Sequence, residues 1–141
     1  DPAHRAVGIA HGGWKGTVRR IAAKTVLRMQ QEFGTRPEDV LAAIGPSIGP
    51  CCYEVGPEVE RQFQEAFSGH EAALFSHPDA VGGTHLSLWA ANRLQLEEIG
   101  VLREHIDEAR TCTACHHEDF FSYRADGGQT GRLGAVIALR S

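Results

Sequence analysis

The amino-acid sequence predicts a mixed fold of helices and strands, α/β or α+β in class. Three observations carry that expectation. Short apolar runs end in turns rich in glycine and proline, segments of helical spacing lie between them, and the last apolar run is hydrophobic enough for a central strand.

The elements follow in order. Residues 5–10 form a short apolar strand candidate, and Gly12-Gly13-Trp14-Lys15-Gly16 turns the chain behind it. A helix is expected from Thr17 as N-cap, with Val18, Ile21, Ala22, Thr25 and Met29 at helical spacing and Gly34 as its C-cap. Residues 40–44 read as a buried strand that runs into a stiff loop, 45–50, made of glycines and prolines. A second helix starts at Pro57, a good first helical residue, and carries Val59, Phe63 and Phe67 on one face. Residues 69–83 are a loop. A third helix spans about 86–99, with Trp89, Ala90 and Leu94 inward and Gly100 closing it. Residues 120–124 and 133–139 read as two strands of a terminal hairpin around the turn 126–131.

Composition excludes several classes. The chain has 141 residues, 42% of them hydrophobic and 23% charged, which suits a packed globule rather than a disordered segment. The net charge of −4 and the absence of a basic stripe argue against nucleic-acid binding. No apolar run approaches the roughly 20 residues that span a bilayer, so no membrane partner is expected. The opening Asp1-Pro2-Ala3-His4-Arg5 has no signal-peptide pattern, and a cytoplasmic location is expected. A strand candidate so close to Asp1 suggests that the sequence begins inside a domain.

Four cysteines sit at 51, 52, 112 and 115, a vicinal pair and a Cys-x-x-Cys, which reads as reduced thiols. Cys112-Thr113-Ala114-Cys115-His116 matches the attachment motif of c-type haem, which an export compartment would have to accompany. The same Cys-x-x-Cys could be half of a structural zinc site, a redox pair, or two inert thiols. The second pair such a zinc site needs is not expected from Cys51 and Cys52, because neighbouring side chains diverge. His116 and His117 read as solvated loop residues.

His11 is the most informative residue. It lies between a strand candidate and a glycine turn that opens a helix, where α/β proteins build sites. An imidazole there can bind a metal or move a proton, and the helix start favours an anion beside it. The alternative is a structural histidine in a tight turn. Arg124 and Arg132 flank the expected hairpin turn and could hold phosphate or carboxylate, or make surface ion pairs. The eight histidines contain no His-x-His pair, so multicopper oxidase chemistry finds no support.

Taken together, Ala10-His11-Gly12-Gly13-Trp14-Lys15-Gly16, then Ile44-Gly45-Pro46-Ser47-Ile48-Gly49-Pro50-Cys51-Cys52-Tyr53-Glu54-Val55-Gly56, then Cys112-Thr113, then Phe120-Phe121-Ser122-Tyr123-Arg124 with Thr130-Gly131-Arg132 resemble the YfiH family. That family is also called the laccase-domain or polyphenol oxidase family, and its members are regarded as purine nucleoside phosphorylases. The resemblance covers essentially the whole chain. It implies an α+β fold with mixed sheets and flanking helices, a four-layer α/β/β/α arrangement related to toxin deamidases. Residues 1–141 would be one such domain, incomplete at its N-terminus.

The resemblance further implies phosphorolysis of adenosine, inosine, guanosine and methylthioadenosine, and deamination of adenosine. Purine nucleosides and phosphate would be the partners, and the protein a monomer or homodimer. Zinc is the implied cofactor, with copper a lesser association of the family name. His11 would be a catalytic residue and a zinc ligand, with a cysteine and a second histidine upstream of the chain. Gly12, Lys15, Arg124 and Arg132 would be substrate- or phosphate-binding candidates. Gly13 stands where the family usually has Ala, Lys15 where it has Arg, Ala125 where a second Arg is common, and Ser87 where it has a helix-starting Asp. The alternative function is a non-enzymatic nucleotide- or anion-binding module without the upstream cysteine and histidine.

Overall fold

The structure is a computed structural model that describes residues 1–78 and 82–140. Its described residues fall into two compact units, one of residues 1–44, 92–108 and 135–140, the other of 45–91 and 109–134. Helices, a parallel sheet and an antiparallel sheet are all present, so the class is α+β. No helix among the described residues is long and apolar enough to cross a membrane.

In the first unit, helix α1 spans Trp14–Val18 and α2 spans Ile21–Phe33. One helix was expected from Thr17; instead Gly13 is the N-cap, and Arg20 at φ 64° breaks the segment in two. Ala, Leu, Met, Gln and Glu in α2 are strong helix formers, and Ala23, Val26 and Met29 form its buried stripe. Gly34 ends it at φ 72°, a conformation that favours glycine, and its N–H bonds to the Gln30 carbonyl.

Strand β1, Ala42–Ile44, pairs in parallel with a short strand, Ile106–Glu108, that the sequence did not announce. Ala42 lies opposite Ile106 and Ile44 opposite Glu108. Val26, Val40, Leu96 and Val101 form the core of this unit, with Ala22, Ala42, Ile99 and Ile106 packed around them.

The second unit holds β2 (Glu54–Val55), α3 (Pro57–Ala66), α4 (Glu71–Leu74), β3 (Phe75–Ser76) and β4 (Thr84–Leu86). The strands make one antiparallel sheet in the order β2-β4-β3. The expected loop 69–83 therefore contains a helical turn and a strand, and its residues 79–81 lie outside the described residues. Pro57 is the first residue of α3, and Glu58 and Glu60 complement the positive end of its dipole. Phe63 and Phe67, one turn apart, are almost fully buried, with rings stacked 5.7 Å apart.

Helix α5, Leu88–Glu98, begins in the second unit and continues in the first, and Ile106–Glu108 is strand β5. The Ser87 side chain accepts a hydrogen bond from the Ala90 N–H and so caps the helix in place of the family's usual Asp. The buried face is Leu88, Ala91, Asn92, Gln95 and Leu96, whereas Trp89, Ala90 and Leu94 are only half-buried. The spacing i, i+3, i+4, i+7 selects this stripe once polar residues are admitted to it.

Two further expectations are corrected. Residues 5–10 carry no strand; they lie against α2, where a Cβ on Gly8 would come within 2.7 Å of the Met29 sulfur. The terminal hairpin is also absent among the described residues. The Asp126 carboxylate accepts the Ser122 N–H and the Thr130 hydroxyl, which curls residues 122–130 into turns. Residues 133–139 find no neighbouring ladder, and Val136 is 96% exposed.

Phe63 is a fully buried side chain of the second unit. Replacing it, Phe63→Ala, is expected to lower stability by about 3–5 kcal/mol in urea titration, and a loss below about 1 kcal/mol would mean that the ring is not a core element.

Candidate functional site

The glycine turn that carries His11 is held from behind. The Thr17 hydroxyl lies 3.0 Å from both the Gly12 and the Gly13 carbonyl oxygens, so its single proton is shared between them. It accepts in turn from Asn92 Nδ2 at 3.1 Å. Thr17 is fully buried, and Asn92 nearly so.

Gln95, also fully buried, closes the break between α1 and α2. Its Nε2 donates to the Thr17 carbonyl at 2.8 Å and its Oε1 accepts the Ala22 N–H at 3.2 Å. The Thr17 carbonyl also takes the Arg20 N–H, and the Ala22 N–H is one of the orphan donors that the start of α2 leaves.

At both glycines a Cβ would crowd a neighbouring side chain. A Cβ on Gly12 would meet Asn92 Nδ2 at 3.2 Å, and one on Gly13 would stand 2.6 Å from His11 Nε2. The His11 ring thus lies directly over the Gly13 backbone while remaining exposed to solvent. Lys15, also exposed, places its ammonium 5.5 Å from the centroid of the Trp14 ring.

His11, Gly12 and Lys15 belong to the first unit; Arg124 and Arg132 belong to the second. Both terminal nitrogens of Arg124 donate to the Glu54 carbonyl at 3.1 Å, and its guanidinium stacks over Tyr53. Arg132 folds back on its own loop, donating to the Thr130 and Gly131 carbonyls. Sequence reasoning missed Thr17, Asn92 and Gln95. Their signal was a pair of amides at i and i+3 on the helix face that carries Leu88, Ala91 and Leu96.

The cysteines supply a second cluster, in the second unit. The sulfurs of Cys51, Cys52, Cys112 and Cys115 all lie within 4.8 Å of one another. This corrects the expectation that Cys51 and Cys52 diverge. They sit in a tight turn closed by the Cys52 and Tyr53 N–H groups on the Gly49 carbonyl, where successive side chains rotate rather than alternate. The bridge between Ser47 and Cys112 lays this turn beside the Cys-x-x-Cys. The four cysteines are free.

Burial opposes ionisation of Cys112, yet the backbone N–H groups of Gly49, Cys115 and Ala114 outweigh it and bring the pKa down to about 6. Hydrogen bonding to Cys115, then burial, pushes Cys52 up to about 11. Burial, then the contact with Cys115, raises Cys51 well above the usual thiol range. This donor set can bind a metal ion. His116, Glu118 and Asp119 form a second, fully exposed group of ligand atoms, and His117 is solvated as expected. His11 is in neither group.

A sequence profile for the family described as multi-copper polyphenol oxidoreductase laccase matches residues 1–140. The chain belongs to this laccase family. It is 44% identical, over 99% of its length, to a "Purine nucleoside phosphorylase" of Bacteroides thetaiotaomicron, of which it covers 51%. It is 40% identical, over 89% of its length, to "Adenosine deaminase RL5" of an unknown prokaryotic organism, of which it covers 47%. The crystal structure of the Bacillus licheniformis protein YfiH superimposes with a TM-score of 0.85 at 39% identity, over 93% of this chain and 49% of that one. The chain spans about half the length of the curated relatives it matches. The fold is that of YfiH, as the laccase-family resemblance implied.

Two substitutions probe the turn. Gln95→Leu keeps the volume but orphans the Ala22 N–H, and is expected to cost about 1–3 kcal/mol in urea titration; an unchanged midpoint would show that the amide is not needed. Gly13→Ala displaces the exposed His11 ring and is expected to move its imidazole NMR signals while changing stability by less than about 1 kcal/mol; unmoved signals would contradict the ring position.

Proposed function

We propose that this chain is part of a purine nucleoside phosphorylase of the YfiH type, with adenosine deamination as a second activity. The observation that carries the reading is the exposed His11, seated on a glycine turn that Thr17 and Asn92 hold from behind, in a chain whose relatives are named purine nucleoside phosphorylase and adenosine deaminase. The substrates would be adenosine, inosine, guanosine and methylthioadenosine, with phosphate.

In phosphorolysis a phosphate oxygen forms a bond to the ribose C1′ while the bond from C1′ to the purine nitrogen breaks. The departing purine needs a proton, and an imidazole at His11 can supply one. In deamination, water adds at the purine C6 and ammonia leaves, which again needs a proton moved at the site. Gly12 would let the substrate approach the backbone, and Lys15 would add positive charge for phosphate; Lys in place of Arg keeps the charge without the bidentate fork. Arg124 and Arg132 remain anion-binding candidates through the N–H groups that their carbonyl contacts do not use.

Zinc is the cofactor that the family resemblance implies. Among the described residues, His11 joins no group of three ligand side chains, so these residues alone do not fit zinc at that position. Were His11 a zinc ligand instead of the proton donor, an upstream cysteine and histidine would be the remaining ligands, with residues 1–141 the later part of one domain. The reading as a non-enzymatic nucleotide- or anion-binding module is not favoured, because the matching relatives carry enzyme names across nearly all of this chain.

Inosine phosphorolysis and adenosine deamination by the full-length protein test the proposal. His11→Ala is expected to lower kcat/KM for both by about 100-fold or more with the fold intact by circular dichroism. Activity unchanged by that substitution would overturn the role of His11, and absence of both activities from the unsubstituted protein would overturn the function.

A further inference from the structure

We propose that Cys51, Cys52, Cys112 and Cys115 form a closed, structural zinc site, separate from the histidine turn. Four sulfurs around one zinc at about 2.3 Å stand about 3.8 Å apart along the edges of the tetrahedron. Cys115 lies 3.5 Å from Cys51 and 3.4 Å from Cys52, and all four sulfurs fall within 4.8 Å of one another. Movements of a few tenths of an ångström to about 1 Å therefore bring them to the ideal edges. A disulfide needs about 2.05 Å and joins only two of the four.

Donor chemistry points the same way. Four thiolates select a soft ion, and a compact tetrahedral sulfur set selects zinc over the hard cations that take oxygen ligands. An iron–sulfur cube binds each thiolate to a different iron and so needs them farther apart than a single ion does.

The surroundings have the form of a built site. The Gly49 N–H donates to Cys112 Sγ at 3.2 Å, a contact of the kind that orients and stabilises a metal thiolate. Gly49 has no room for a side chain: a Cβ there would lie 2.6 Å from the Trp89 ring and 3.2 Å from the Cys112 Cβ. The backbone bridge from Ser47 to Cys112 holds the two cysteine-bearing segments in register. Cys112 is buried while Cys51 and Cys115 are exposed, which leaves an entry path from solvent.

With four protein ligands the ion has no open position, so the site ties residues 45–53 to 109–115 and activates no water. Binding transfers the remaining thiol protons to solvent and changes no oxidation state.

Metal analysis of the full-length protein, purified under reducing conditions as His11→Ala, tests this without depending on the phosphorylase reading. About one equivalent of zinc is expected to remain in that variant. Adding Cys51→Ser, an exposed position that leaves folding intact, is expected to weaken zinc retention against a chelator by about tenfold or more. Cobalt(II) in His11→Ala with all four cysteines kept should show the thiolate charge-transfer absorption of a tetrahedral sulfur site, and His11→Ala/Cys112→Ser/Cys115→Ser should lack it. Loss of all zinc with His11→Ala, iron in place of zinc, or a Cys115 disulfide seen by mass spectrometry as a two-hydrogen loss would overturn the proposal. Zinc retention in His11→Ala, together with absence of nucleoside activity from the unsubstituted full-length protein, would leave this site standing and remove the phosphorylase reading alone.

Discussion

One buried amide governs the architecture around His11. The left-handed backbone at Arg20 ends α1 and lets α2 set off on its own course, with the Thr17 carbonyl and the Ala22 N–H on either side of the break. Gln95 meets both from α5. The cost of burying an amide is then offset by two hydrogen bonds, and the amide gains a meaning that no leucine could have. It fastens the break between α1 and α2 to α5, one turn along from the contact that holds the glycine turn. Asn92, one helical turn earlier, extends the same polar seam to Thr17.

Much of this was legible in the residues. Pro57 and Gly34 marked a helix start and a helix end because each has a backbone preference that acts locally. Ser87 capped α5 for the same reason. The parts that resisted reading depend on partners distant in sequence. Residues 5–10 and 133–139 have strand-like composition, but composition does not supply the neighbour that a ladder requires. Strands β2, β3 and β4 are two or three residues long, too short for an alternating pattern to register.

The candidate site shows the same division. His11 and its glycines announced themselves through a contiguous motif. Thr17, Asn92 and Gln95 did not, because a search for apolar stripes passes over a polar pair on a buried face. The thiols were judged by spacing along the chain, which assumes an extended vicinal pair. A tight turn at Gly49 removes that assumption and brings together sulfurs separated by 63 and 64 residues. The chemistry of the chain is thus of two kinds: an imidazole presented on a turn, and soft sulfur donors gathered between two loops.

Gly49 has a consequence for observation as well as for packing. The Trp89 indole presses against the space a Cβ would fill, and its N–H donates to the Ser47 hydroxyl at 2.7 Å. Trp89 is therefore fastened to the loop that leads into Cys51 and Cys52. The other indole, Trp14, lies beneath the Lys15 ammonium in the histidine turn. With two tryptophans in the chain, one tied to the loop before the vicinal cysteines and one in the turn that carries His11, replacing either leaves an emission that comes from the other locale alone.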